Sequence, residues 1–350
     1  MGESLRAGPG DPGRIHAEGL TARLAVEEAR ESVAAFLGAR SREVVFTSGA
    51  TEAIATAVWG AAERGPHQVV PAIEHSAVRL AAAAAGDITV VGVDHAGRVA
   101  PDAVMAAIRP DTALVHLQWG NHEVGTVQPV AEVVARCREA GVLVHVDAAQ
   151  AVGHVAVDLA ALGADLLSVS AHKFGGPPGI GALVVRRGLR LRPLLLGGDQ
   201  ERARRAGLEN VPAIVGFGAA CRAVDVNREG STQRRLTDRV LAAVPELDGV
   251  VIYGDAEQRV PHIVCLGVLG IEPQAVLLGL DQAGLAAHSG SACSSEALEP
   301  SPVLEAMGVD AHRSLRVSVG WSSTDADVDA LLDALPGVIE RLRALGRPHE

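Results

Sequence analysis

Lysine is almost missing from this sequence. Of its 31 basic residues, 30 are Arg, and the one Lys is Lys173. Cysteine is sparse as well: Cys137, Cys221, Cys265 and Cys293 lie far apart, with no CxxC pair and no His/Cys spacing of the kind that builds a zinc site. Disulfides and a structural metal are therefore not expected. No run of about eighteen apolar residues occurs, so no segment is expected to cross a membrane. The opening MGESLRAGPG has no basic start followed by an apolar stretch, so no secretory signal is expected and a cytoplasmic location is the default. A formal charge of -11 argues against a general nucleic-acid surface. What remains is 350 residues with 48% apolar side chains, enough to bury a sizeable core and to form two domains.

Arg replaces Lys well in most surface roles, since both carry a positive charge on a long apolar stem. Schiff-base chemistry is the exception. A guanidinium stays protonated, whereas an amine loses its proton in a suitable pocket and attacks an aldehyde. The count raises the suspicion that Lys173 has a chemical task, and its neighbours have to decide it.

Between residues 43 and 185, the apolar runs EVVF, QVVPA, ITVVGV, TALVHL, VLVHV, LLSVS and GALVV alternate with helical patterns such as 20 to 38 and 129 to 140. That rhythm predicts an α/β sheet, and the continuity of most runs predicts mainly parallel strands covered on both faces. Pro129 opens one helix and Gly141 closes it. After about residue 228 the pattern becomes a charged helix near 231 to 244, short strands near 250 to 253 and 262 to 267, and an amphipathic helix from Thr324. The expected organisation is an arm over 1–12, a large α/β domain over 13–228 and a smaller α+β domain over 229–350.

Ligand sites in open α/β sheets lie beyond the carboxyl ends of the strands. Polar groups recur at those places: TSGATEA after EVVF, Glu74 and His75 after QVVPAI, Asn121 and His122 after TALVHLQW, Asp147 after VLVHV, and Ser170, His172 and Lys173 after LLSV. A Ser/Thr/Gly-rich turn from Thr47 to Thr51 that enters a helix offers backbone N–H groups and the positive end of a dipole to a phosphate. An Asp at a strand end keeps a pyridine nitrogen protonated. Taken alone, such an Asp is more often a turn or helix cap, and a TSGAT is more often an N-cap.

The segments FTSGATEA, EHSAV, NHEVGTVQPV, HVDAAQAVG, SAHKFGGPPGIGAL, GGDQERARRAG and SGSACSSEALEPSPVL, collinear over nearly the whole chain, resemble the cysteine desulfurases of the class V aminotransferase group. The resemblance implies the type I fold of pyridoxal-phosphate-dependent transferases. It implies that Lys173 binds the cofactor as a Schiff base, that Asp147 meets the pyridine nitrogen and that Gln150 meets the phenolic oxygen. Thr51, Ser170, His172 and the backbone of Ala50 would hold the phosphate. His75 would stack on the ring and move protons to or from sulfur. Arg316, with Asn121, would bind the substrate, the guanidinium taking its carboxylate through two contacts. Cys293 would take sulfur from L-cysteine as a persulfide, leaving alanine, from within a Gly/Ser-rich loop. Cys137, in a helix pattern, and Cys265, in an apolar run, read as buried inert thiols. The family further implies a homodimer and a protein that accepts the sulfur: an iron-sulfur scaffold, a sulfur carrier or a tRNA thiolation enzyme.

Three positions depart from the family pattern. His122 stands where the family has a second Asn that touches the cofactor's phenolic oxygen, and histidine still donates a hydrogen bond there. Leu208 stands where a threonine usually reaches the phosphate of the other subunit. Only about a dozen residues precede GDPGRIHAEG, where the family has a strand and an Asn-Ala-Ala-Thr-Thr-Pro turn, so an upstream start, a partner that fills the gap or weak activity all remain open. The alternatives to a desulfurase are a selenocysteine lyase or another class V aminotransferase-like enzyme, and a degenerate scaffold of the same fold.

Overall fold

The computed structural model describes residues 1–8, 10–289 and 300–345. These divide into two compact units: Met1–Val91 with Pro101–Trp119 and Pro129–Val226, and Gly92–Ala100 with Gly120–Gln128 and Asn227–Glu350.

The first unit is built on a seven-stranded sheet. Its strands are β1 (Val44–Thr47), β2 (His67–Pro71), β3 (Asp87–Val91), β4 (Thr112–Gln118), β5 (Leu143–Asp147), β6 (Leu166–Ser170) and β7 (Gly181–Val185), in the order β1-β7-β6-β5-β4-β2-β3. All pairings from β6 to β3 are parallel, while β7 runs antiparallel to both β6 and β1. Each of the seven apolar runs forms a strand. Six of them, all but β3, are buried almost throughout, as strands covered by helices are, whereas β3 is a half-exposed edge. The helix anticipated after Pro129 spans Val130–Glu139.

The helix Ala17–Phe36 packs so closely on the helix Val211–Ala223 that a Cβ on Gly218 would lie 2.7 Å from Ala29 Cα. Arg30, on the first helix, is buried and forms a two-point ion pair with Glu201, with Nη1–Oε2 and Nη2–Oε1 both 2.7 Å. Glu201 Oε2 also accepts from the Phe46 N–H at 2.8 Å, so one carboxylate ties helix, strand and following loop together. The loop reaches it through three consecutive left-handed residues, Glu201, Arg202 and Ala203.

The second unit contains an antiparallel sheet, in the order β10-β9-β8, of β8 (Val250–Tyr253), β9 (Ile263–Val268) and β10 (Ser314–Ser318). The helices Val226–Ala243, Pro273–Gln282 and Asp325–Leu345 bury Leu236, Val240, Leu280, Leu335 and Val338 with Val264, Leu266 and Leu315 of the sheet. The segments 92–100 and 120–128, which the linear reading puts in the large domain, pack with this unit. The Val127 N–H donates to Gln258 O, the Val260 N–H donates to Gly125 O, and Arg98 pairs with Asp255 at 2.9 Å. No described helix is long and apolar enough to cross a membrane.

Removing one partner of a buried ion pair leaves an uncompensated charge. Glu201→Ala is expected to cost about 3–5 kcal/mol in urea unfolding, and Arg30→Ala combined with Glu201→Ala less than the sum of the two. Additive losses would show that the pair contributes nothing jointly.

Candidate active site

The carboxyl ends of β1, β2, β5 and β6 collect the polar residues of the first unit. At the end of β1, Thr47 Oγ1 donates to Gly49 O at 2.9 Å and shapes the turn into the helix Ala50–Ala61. Gly49, the N-cap, makes no side-chain cap bond, so the first-turn N–H groups of Ala50 and Thr51 are not taken by a cap. The Ser48 N–H is met by Glu52 Oε2 at 2.8 Å, and Glu52 is neutralised by Arg205 at 2.9 Å. β7 runs directly against the turn. A Cβ on Gly181 would stand 2.7 Å from Gly49 Cα and 2.4 Å from Val169 O, which only glycine permits. The same closeness brings in β6: a Cβ on Gly49 would lie 3.7 Å from Ser170 Oγ. Ser170 Oγ in turn is 2.9 Å from His172 Nδ1. Burial, helped by the Lys173 ammonium, lowers the His172 pKa below the ordinary histidine value. Lys173 follows in a short 3-10 turn, Ala171–Phe174, with its carbonyl held by His154 Nε2 at 3.0 Å and its side chain exposed.

Asp147 ends β5 and is 7% exposed. Both of its bonds to neighbours go to Oδ1, from the Ala149 N–H at 3.0 Å and the Ser168 hydroxyl at 3.3 Å. Gln150 is buried three residues on. His75 caps the helix Ser76–Ala85: its Nδ1 accepts from the Ala77 N–H at 3.1 Å, which places the proton of the neutral ring on Nε2.

In the second unit Asn121 Oδ1 accepts the N–H groups of Glu123 and Val124, both at 2.8 Å, and so folds the NHEVG turn on itself. His122 Nε2 is 3.5 Å from Glu123 Oε1, and Glu123 Oε2 accepts from Ser301 Oγ at 2.5 Å. Arg316, on β10, donates from Nη1 to His122 O at 2.9 Å. Its Nε is buried without a hydrogen-bond partner among the described residues. Burial lowers the Arg316 pKa below the ordinary arginine value.

The class-V aminotransferase pattern matches residues 5–331 of this sequence. The chain belongs to the class-V aminotransferase family. Within it the relatives are cysteine desulfurases. The cysteine desulfurase IscS 1 of Archaeoglobus fulgidus is 41% identical over 349 residues, covering 96% of this chain and 91% of that protein. The cysteine desulfurase of Gluconacetobacter diazotrophicus is 43% identical over 351 residues, covering 96% and 88%. A solved NifS-like protein superposes with a TM-score of 0.88 at 32% identity, covering 97% of this chain and 93% of that one.

The cofactor of these class-V enzymes is pyridoxal phosphate, and the residues of the first unit fit it. The uncapped helix start beside the Ser170–His172 pair suits a phosphate, the buried carboxylate at the end of β5 suits a ring nitrogen, and the one amine of the sequence follows β6. The orphaned Arg316 Nε suits a carboxylate. Cys293 lies outside the described residues. The other three cysteines are buried, and burial raises the Cys137 pKa to about 11 and that of Cys221 to about 12, so none offers a thiolate. Leu208 is 63% exposed beside Ser48 and Asn210 and has no donor to offer a phosphate.

Glu74 stands among the strand-end polar groups of the sequence, where no chemical task fell to it. It is 1% exposed, takes the Gln118 N–H at 2.6 Å through Oε1, and has no partner at Oε2 among the described residues. Burial, with the Asp147 charge adding, pushes its pKa up to about 8. An acidic residue closing the apolar run QVVPAI was the available signal. Because the folded pKa lies above the ordinary 4.5, the folded chain holds this proton more tightly. The stability it contributes is complete below that ordinary value and is lost as pH rises through about 8. Glu74→Gln is expected to flatten this loss, gaining on the order of 1 kcal/mol or more over the parent between pH about 5 and 8 in urea unfolding. Parallel curves would show that Glu74 ionises as an exposed carboxyl does.

Proposed function

We propose that this chain is a cysteine desulfurase that converts L-cysteine to L-alanine and carries the sulfur as a persulfide on Cys293. The observation that carries this reading is the position of the only lysine, directly after the Ser170–His172 pair that adjoins the uncapped helix start. Pyridoxal phosphate, when bound, supplies an aldehyde for the Lys173 amine and a ring that withdraws electrons from the substrate Cα.

The protein's own groups do the rest. Thr51, Ser170, His172 and the backbone of Ala50 hold the phosphate. Asp147, whose Oδ1 is engaged by Ala149 and Ser168, presents Oδ2 to the ring nitrogen. Gln150 and His122 address the phenolic oxygen. The Lys173 amine would accept and return the Cα proton. His75, with Nδ1 committed to its helix, works through Nε2 at the ring face and at the substrate sulfur. Arg316 and Asn121 bind the substrate, Arg316 through its carboxylate. The Cys293 thiolate attacks the substrate sulfur as its bond to carbon breaks, so cysteine and a thiol become alanine and a persulfide with atoms and protons balanced.

The assembly that suits this reading is a cytoplasmic homodimer that passes sulfur to an acceptor protein, whether iron-sulfur scaffold, sulfur carrier or tRNA thiolation enzyme. Leu208 removes one hydrogen bond that a threonine would give the neighbouring subunit's phosphate.

The purified chain with pyridoxal phosphate is expected to absorb in the visible as a Schiff base and to release alanine from L-cysteine. Lys173→Ala should lose the band. Cys293→Ala should keep it and form no persulfide. Arg316→Lys, which loses two-point contact, should raise KM about tenfold or more. Full sulfur delivery by Cys293→Ala, or keto-acid in place of alanine, would overturn the reading.

A further inference from the structure

One face of the sheet carries a file of buried polar side chains that the proposed reaction does not use. Gln68 on β2, His116 on β4, His145 on β5 and Ser168 on β6 are each at most 1% exposed. Strand register puts them side by side: His116 pairs with His145, and Ser168 pairs with Asp147. His145 and Asp147 are two apart on one strand and so share a face. His116 Nε2 lies 2.7 Å from Gln68 Oε1, His116 Nδ1 lies 3.0 Å from His145 Nδ1, His145 Nε2 lies 3.1 Å from Ser168 Oγ, and Ser168 Oγ donates to Asp147 Oδ1 at 3.3 Å. The neighbouring buried positions of these strands, Leu114, Val115, Leu117, Val144, Val146 and Leu167, are apolar. A purely structural core would be served by more of the same, since buried polar groups cost free energy unless every one is satisfied.

From this connectivity we propose that Gln68, His116, His145 and Ser168 form a positioning network that is polarised toward Asp147 and holds its Oδ1, so that Oδ2 faces the cofactor's ring nitrogen. The inference rests on the cofactor role assigned to Asp147 above.

Counting protons fixes the polarity. Burial lowers the His145 pKa to about 3 and that of His116 well below the ordinary value, so each ring is neutral and has one N–H. Ser168 has one O–H. Directed at His145, it would leave the serine lone pairs against the Asp147 carboxylate. Directed at Asp147, it makes a charge-assisted bond, roughly twice as strong as a neutral one. The serine oxygen must then accept from His145 Nε2–H, and His145 Nδ1 from His116 Nδ1–H, which leaves His116 Nε2 an acceptor; the Gln68 carboxamide then turns its NH2, in place of the Oε1 that stands 2.7 Å away, toward that nitrogen. The two histidines therefore hold opposite tautomers. Glu74, the other titratable group that acts on Asp147, approaches from β2 and is not a member of the file.

The test is 15N NMR of the cofactor-free full chain with labelled histidine, the two rings assigned through His116→Gln and His145→Gln. The expected result is a neutral His145 protonated on Nε2 and a neutral His116 protonated on Nδ1 across pH about 6 to 8. A proton on His145 Nδ1, or either ring cationic in that range, overturns the proposal. In the loaded enzyme Ser168→Ala should weaken pyridoxal phosphate binding about tenfold and move the absorption maximum of the bound cofactor, and Ser168→Thr should restore both. Unchanged affinity and spectrum in Ser168→Ala would also overturn it. Failure of the parent chain to form any Schiff-base band would count against the proposed function instead, because the tautomers are read without cofactor.

Discussion

Parallel pairing of β4, β5 and β6 is the constraint on which the candidate site depends. Parallel strands in register end at one level, and here that register sets Gln118 beside Asp147 and Asp147 beside Ser168. Every strand enters its loop on the same side, so side chains dozens of residues apart in sequence become neighbours without any of them being adjacent along the chain. The antiparallel β7 completes the arrangement from the other direction. Its first residue, Gly181, gives the phosphate-type turn a seat against the sheet that any side chain would abolish.

Burial then assigns different behaviour to chemically similar groups. Two carboxyls, Glu74 and Asp147, both lie in the core, yet only Asp147 receives two donors on one oxygen, while Glu74 receives a single N–H and keeps an orphan oxygen. The contrast makes one an acceptor with a free face and the other a reluctant acid. The cysteines show the same logic. Three are sealed into helices and strands, where ionisation is suppressed, and the fourth, Cys293, is flanked in the sequence by glycine, alanine and serine.

Much of this was legible in the sequence, for identifiable reasons. The strands could be read because buried parallel strands are continuous apolar runs, and the strand-end residues because polar groups interrupt those runs where the sheet stops. The attachment of 92–100 and 120–128 to the second unit could not, since it rests on backbone bonds such as that from Val127 to Gln258, which leave no mark on side-chain periodicity. Nor could the file from Gln68 to Asp147. Each member sits singly in an apolar strand, and only cross-strand register turns isolated polar residues into a network. The left-handed run at Glu201–Ala203 was equally silent, having no glycine to announce it.

Lys173 has one further consequence, for handling the molecule. Reagents that seek side-chain amines have a single destination in the whole sequence, and an endoprotease that cuts after lysine divides the chain once, close to its midpoint. A bound aldehyde fixed by reduction would thus protect the only such cleavage point, so the covalent state of one side chain could be read from whether the polypeptide migrates as one band or two.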